Sequence, residues 1–366
     1  MDIDEFVVER LRPLLGERKR TETYFDLAGE RKVRMGLNEN LLVNRFFSDT
    51  LLFEAVKRLD VREYPPPKGW TAVRAIAEEM GVWEDEVLVG NGSDEILDLV
   101  AKVFLSSDGC EALIVDPTFE MYRFYALLAG GRARQVLTSR DFRLNADSVL
   151  SEIGEDTKVI FICSPNNPTG RQFDRDEVLR VVEESGRIVV LDEAYVDFAP
   201  YSLSGECTKY ENLLVLRTFS KAFGIAALRA GYCLGNSRII EWLRAAQSPF
   251  SVNSAAQQMV RLVLENRKVY DSFVKQVIEE RNYLTAELEM VPGVEAYESD
   301  ANFILFRLPD SAPSKEVVRR LSESGLEVRD RGSLPLLENC VRVTVSTREN
   351  NLKFIERLKE VMGELA

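Results

Sequence analysis

Apolar residues change rhythm along this chain, and the changes mark its elements. Val159-Ile160-Phe161-Ile162-Cys163, Arg187-Ile188-Val189-Val190-Leu191 and Asn212 to Leu216 are short runs of β-branched or leucine-rich residues, each ending in polar groups. Such unbroken runs predict strands buried on both faces, as in a parallel sheet covered by helices. Elsewhere the period lengthens. Ile96, Leu99, Val100, Val103 and Phe104 fall at i, i+3, i+4, i+7 and i+8, one face of a helix entered through Gly90-Asn91-Gly92. Helices are also expected over Thr71 to Met80 and Asp174 to Ser185, the second stopped by Gly186 at its C′ position.

Helical spacing at Val269, Phe273, Val277 and Tyr283/Leu284 predicts a continuous or kinked connector over about 254–290. The pattern divides into three parts. Residues 1–36 form an N-terminal arm that opens with a short helix (Ile3, Phe6, Val7, Leu11) and packs with the small domain. Residues 37–265 form a large α/β domain, with a mostly parallel sheet flanked by helices. Residues 266–366 form a smaller α+β domain, with strands at Asn302 to Arg307, Leu326 to Arg329 and Val341 to Val345 and helices at 314–324 and 349–364. The stretch 196–211 shows no clear period.

In open α/β sheets ligands bind beyond the carboxyl ends of the strands, and the three apolar runs end in reactive side chains. The first leads into Ser164-Pro165-Asn166-Asn167-Pro168-Thr169-Gly170, the second into Asp192-Glu193-Ala194-Tyr195, the third into Arg217-Thr218-Phe219-Ser220-Lys221-Ala222-Phe223-Gly224, with Arg229 eight residues after the lysine. Each residue alone has an ordinary reading: a surface lysine, an Asn-Pro turn, a capping aspartate. Together they point to pyridoxal phosphate. Lys221 supplies the imine-forming amine and moves protons; Asp192 faces the ring nitrogen and keeps it protonated; Asn167 and Tyr195 steady the phenolate oxygen. Free N–H groups at a helix start bind an anion, so Gly92, Ser93 and Asp94, closed by Thr218, Ser220 and Arg229, are the expected phosphate cradle. Phe119, in Asp116-Pro117-Thr118-Phe119, is placed to stack on the ring.

Taken in order with Val341-Arg342-Val343-Thr344-Val345, these motifs resemble the fold type I pyridoxal-phosphate aminotransferases, and most of all the histidinol-phosphate aminotransferases. The likeness runs from about residue 36 to the C-terminus. It implies a homodimer in which Tyr64, in Tyr64-Pro65-Pro66-Pro67, reaches the cofactor phosphate of the neighbouring subunit. It implies substrate contacts from Arg342, whose planar fork suits an acid group, from Arg329 and from Asn302. The chain departs from the pattern at Leu41-Leu42, where proline usually follows Asn38-Glu39-Asn40, at Phe119, where many relatives have tyrosine, and at Leu11-Arg12-Pro13-Leu14, which lacks a tyrosine.

Composition narrows the field. Among 366 residues 45% are hydrophobic and 29% charged, with a net charge of −13; an ordinary globular core is affordable, and nucleic acid or an anionic membrane is an unfavourable partner. No signal pattern or membrane-length apolar run is seen, so the cytoplasm is the expected compartment. The five cysteines lack Cys-x-x-Cys spacing and are expected to be reduced packing groups; no metal site is expected. Absence of histidine excludes Ser-His-Asp, Cys-His and histidine–zinc chemistry; no Gly-Lys pair permits a Walker A loop, and no Gly-x-Gly-x-x-Gly follows a strand. The expected activity is transfer of an amino group from histidinol phosphate to 2-oxoglutarate. Alternatives are an aromatic amino-acid aminotransferase, a decarboxylase of a phosphorylated amino acid on the same fold, and a non-catalytic binding protein.

Overall fold

The computed structural model describes residues 32–107 and 109–365. The expected helix of the N-terminal arm and the Leu11-Arg12-Pro13-Leu14 segment lie outside them. β1 (Val33–Arg34) opens the described chain. The large sheet has seven strands: β2 (Val87–Asn91), β3 (Glu111–Asp116), β4 (Arg132–Leu137), β5 (Thr157–Cys163), β6 (Ile188–Asp192), β7 (Leu213–Thr218) and β8 (Ala230–Gly235). Their order is β2-β8-β7-β6-β5-β3-β4. Every contact is parallel except the two made by β8, which runs against both β2 and β7.

The unbroken apolar runs have a direct cause. Successive side chains of a strand point to opposite faces, and here both faces are covered. Ile160 and Ile162 enter one core while Val159, Phe161 and Cys163 enter the other. Val189 and Leu191 oppose Val190 in the same way, and Leu213 and Val215 oppose Leu214 and Leu216. Burying each such side chain contributes roughly 1.5–3 kcal/mol, so neither face tolerates a polar residue until the strand ends.

Helices follow the expected stripes with small shifts at their ends. Trp70–Met80 and Arg175–Ser185 are observed, the latter capped by Asp174, whose side chain accepts from the Asp176 and Glu177 N–H groups, and stopped by left-handed Gly186. The connector is two helices, Ser254–Glu265 and Arg267–Glu289. Asn266 interrupts it because its side-chain amide donates to the Leu262 carbonyl at 2.8 Å while its backbone leaves the helical region.

Beyond the connector, β9 (Glu295–Ala296), β10 (Phe303–Arg307), β12 (Arg329–Asp330) and β13 (Cys340–Thr344) form a four-stranded sheet ordered β12-β13-β10-β9, flanked by helices Ser314–Glu323 and Arg348–Leu365. The expected strand over Leu326 to Arg329 is broken. Leu326–Glu327 forms β11 and pairs in parallel with β1, whereas β12 pairs with β13. Val328 turns inward between them and is buried, which carries the chain from one sheet to the next. The stretch 196–211 holds only the short 3-10 turns Val196–Phe198 and Cys207–Lys209.

Candidate functional site

One edge of the large sheet collects the polar ends of its strands. β2, β5, β6 and β7 finish there, and antiparallel β8 begins there, so Ser93, Asn167, Asp192, Thr218 and Arg229 come to the same edge from five places in the chain. They border a cavity of about 330 Å³. Ser93, Asp94, Phe119, Asn167, Asp192, Tyr195, Thr218, Ser220, Lys221, Arg229 and Arg342 all line it.

Asp192 sits at its floor, 4% exposed. Its carboxylate accepts from the Tyr122 hydroxyl at 2.7 Å and the Ala194 N–H at 3.0 Å. Burial nevertheless dominates and pushes its pKa up to about 6. Among the described residues no cation pairs with it, so a cationic ring nitrogen would supply the missing counter-charge. Lys221 is displaced the other way: burial first, then the positive charge of Arg342, lower its pKa to about 8. Its Nζ donates to the Leu37 carbonyl at 3.0 Å and lies 5.6 Å from the centre of the Tyr195 ring. Tyr195 accepts from the Asn38 amide at 3.1 Å, and burial holds its hydroxyl protonated. The Arg342 guanidinium donates to Asn167 Oδ1 and, at 2.6 Å, to the Gly36 carbonyl.

The opposite end of the cavity is shaped for an anion. Gly92 caps helix Ser93–Phe104 at φ +80°, and a Cβ there would lie 2.5 Å from Arg229 Nη2. A Cβ on Gly231 would collide with the Ser93 backbone nitrogen. Both glycines let the helix start and the arginine approach each other. Arg229 itself is left-handed at φ 53°, a strained setting for a side chain that its surroundings must fix. The Asp94 carboxylate pairs with Arg229 Nη2 at 2.9 Å; its negative side chain therefore orients the arginine, and only its backbone N–H suits a phosphate. Dipole, N–H groups, the Thr218 and Ser220 hydroxyls and one guanidinium make a coherent phosphate donor set. With an unpaired acidic floor and a lysine of lowered pKa beside it, the residues fit pyridoxal phosphate.

Four expected site residues do not border this cavity. Gly92 stands behind Ser93 as its cap. Tyr64 is 81% exposed and stacks on Phe250, ring centres 4.8 Å apart. Asn302 is fully buried and donates to the Asn38 carbonyl at 3.0 Å, bracing the asparagine that contacts Tyr195. Arg329 lies opposite Arg342 in the β12–β13 register and reaches Glu327 at 3.5 Å.

The sequence reading missed other residues. Tyr122 holds Asp192, and Asn38 holds Tyr195. Arg331 lines the cavity, whereas the family likeness points to Arg329 in that stretch. Behind the sheet edge, Asp197 is gripped by Arg217 at 3.0 Å and Arg267 at 2.7 Å. The one available signal was spacing: Tyr122 follows Phe119 by three residues, and Arg331 follows Arg329 by two.

A family model described as aminotransferase class I and II matches residues 31–358. A histidinol-phosphate aminotransferase of Thermococcus gammatolerans is 38% identical over 94% of this chain and 96% of its own length. One from a Thermoanaerobacter species is 37% identical over 84% of this chain and 87% of its own. Among solved structures, histidinol-phosphate aminotransferase from Sinorhizobium meliloti in complex with pyridoxal-5'-phosphate superposes with a TM-score of 0.87 at 21% identity, covering 98% of this chain and 99% of that one. An L-threonine-O-3-phosphate decarboxylase from Porphyromonas gingivalis reaches 0.79 at 24% identity, covering 90% and 99%. At these identities the structural matches speak for the shared fold.

Proposed function

Because this chain belongs to the class I and II aminotransferase family and is a fold type I, pyridoxal-phosphate-dependent transaminase, we propose that it moves an amino group from histidinol phosphate to 2-oxoglutarate. The names of its relatives support the donor. The observation that carries the chemistry is the pairing of a buried carboxylate of raised pKa with a lysine of lowered pKa across one cavity.

Pyridoxal phosphate supplies an electron sink for the carbon bearing the amino group. The chain's residues do the rest. Asp192 holds positive charge at the ring nitrogen, fixed in place by Tyr122. Asn167 and Tyr195 hold the ring oxygen, and Phe119 covers the ring. The Gly92-Ser93-Asp94 helix start, Thr218, Ser220 and Arg229 retain the phosphate. Lys221 Nζ, neutral in part near pH 8, anchors the cofactor and then carries a proton at the reacting carbon. Arg342 takes an acid group of the substrate, Arg329 reinforces its charge from the adjoining strand, and Asn302 keeps Asn38 against Tyr195.

The working unit in this reading is a cytoplasmic homodimer, with Tyr64 reaching the partner's phosphate. Phe46, Phe53, Val61 and Tyr64 are each more than 60% exposed, and apolar exposure on this scale favours a covering subunit. No helix among the described residues is long and apolar enough to cross a membrane. Purified protein loaded with cofactor should turn over histidinol phosphate repeatedly only when 2-oxoglutarate is present, and consume about one equivalent per site without it. Activity confined to phenylalanine or tyrosine, or carbon dioxide release from threonine phosphate without a 2-oxo acid, would overturn the donor.

A further inference from the structure

Arg331 is a charged side chain at the cavity with little holding it elsewhere. It borders the main cavity together with Phe119, Met121 and Asn167, and it also lines a side annex of about 20 Å³ with Glu120 and Pro168. Its backbone N–H donates to the Cys340 carbonyl at 2.8 Å, which continues the β12–β13 pairing by one residue on each strand and anchors the base of the side chain. The side chain is 14% exposed, and its Nε is buried without an acceptor among the described residues. Its one ion pair among the described residues runs from Nη1 to Glu120 Oε1 at 3.5 Å, and that carboxylate is 45% exposed. A pair this long with a solvated partner is weak, and a buried guanidinium donor left unsatisfied favours any anion that reaches it.

Arg342 contrasts with it. It already donates to Asn167 and to the Gly36 carbonyl, so its orientation is fixed by the chain. We propose that Arg331 is a specificity-determining residue that binds the anionic group of the substrate lying away from the reacting carbon, exchanging Glu120 for it on binding. That group is the far carboxylate of a dicarboxylic 2-oxo acid or the ester phosphate of the amino donor. Both present oxygens that match a guanidinium fork. The inference rests on the transaminase reading and deepens it by defining the substrate class.

The test uses the cofactor-loaded enzyme with Arg331→Gln and Arg331→Lys. Acceptor specificity compares 2-oxoglutarate with pyruvate, and donor specificity compares histidinol phosphate with histidinol. Calorimetric titration with glutarate and butyrate reads binding without turnover. Arg331→Gln should raise KM about 10- to 100-fold for the substrate carrying the second anion, weaken glutarate by a similar factor, and leave pyruvate, histidinol and butyrate within about twofold. The pair that responds identifies the source, carboxylate or phosphate. Arg331→Lys should recover part of the loss, and unchanged cofactor absorbance guards against misfolding. Equal losses with and without the second anion, or no loss with any, would overturn the proposal. An enzyme inactive on histidinol phosphate would sink the donor assignment, yet the glutarate arm would still decide Arg331.

Discussion

Asp192 and Asp197 are five residues apart on one turn, both are buried, and their surroundings pull them in opposite directions. Asp192 faces the cavity, has two hydrogen-bond donors and no paired cation among the described residues, and its pKa is raised to about 6. Asp197 lies behind the sheet edge between Arg217 and Arg267, and their charges outweigh burial and lower its pKa. The difference separates two uses of a buried carboxylate. One completes a cluster that the chain supplies in full; the other waits for a cation from outside it. The complete cluster ties Tyr195's turn to β7, which leads to Lys221, and to the start of the connector helix.

The largest expected effect follows from breaking the complete cluster. Asp197→Asn leaves the buried Arg217 guanidinium without its carboxylate and takes from half-buried Arg267 one of its two acidic partners, and should destabilise the fold by about 3–5 kcal/mol, read by denaturant unfolding at pH 7.5. Because the folded pKa is lowered, this stabilisation is present above the ordinary carboxylate range and fades as the pH falls through it toward the folded value. The difference between wild type and variant should therefore shrink on acidification. A variant as stable as wild type at neutral pH would remove the distinction between the two aspartates.

Asp192→Asn should behave in the reverse manner. The folded state binds its proton more tightly than the unfolded chain, so this group's contribution is fully favourable below the ordinary value of 3.8 and is lost as pH rises through about 6. Removing the charge should leave cofactor-free protein stabilised by about 1–3 kcal/mol at pH 7.5 and unchanged near pH 4. Turnover of the loaded enzyme should fall about 10²–10³-fold, the loss expected when a buried charge loses its partner. Thermal unfolding of the cofactor-free protein and steady-state kinetics measure the two sides. Lower stability at pH 7.5 would mean that Asp192 is structural.

These two aspartates also mark how far the sequence could be read. Runs such as Val159 to Cys163 announced buried strands because each residue meets its own core, and their polar ends located Asn167, Asp192 and Lys221. Local spacing likewise placed Ser93 at a helix start. Antiparallel β8 was not assigned, although it is what brings Arg229 to the edge. The break at Val328 was hidden because the choice between two sheets is made by distant partners, β1 and β13. Arg331, Tyr122 and the Arg217–Asp197–Arg267 cluster left at most a faint spacing signal for the same reason: their roles lie in contacts between separate elements, such as Tyr122 with Asp192, 70 residues apart. Arg329 and Asn302 drew attention through family likeness, and the fold sets both one layer back from the cavity wall.

The smallest effect probes the amine that faces Asp192 across the cavity. A lysine can condense with an aldehyde only when neutral, and lowering its pKa from 10.5 to about 8 raises the neutral fraction at pH 7.5 by about 10²-fold. Cofactor capture, followed by the visible absorbance it creates, should accelerate with pH and level off near 8. Stability has the matching sign: the charged amine burdens the folded state below about 8, and that burden lifts as pH rises from there toward 10.5. Burial is the first cause and Arg342 the second, so Arg342→Gln should move the capture midpoint upward, by about half a unit to one unit. A midpoint near 10 in the wild type would mean that the cavity does not prepare its lysine. A midpoint unmoved in the variant would remove Arg342 from the causes of the lowered pKa and assign it to the substrate alone.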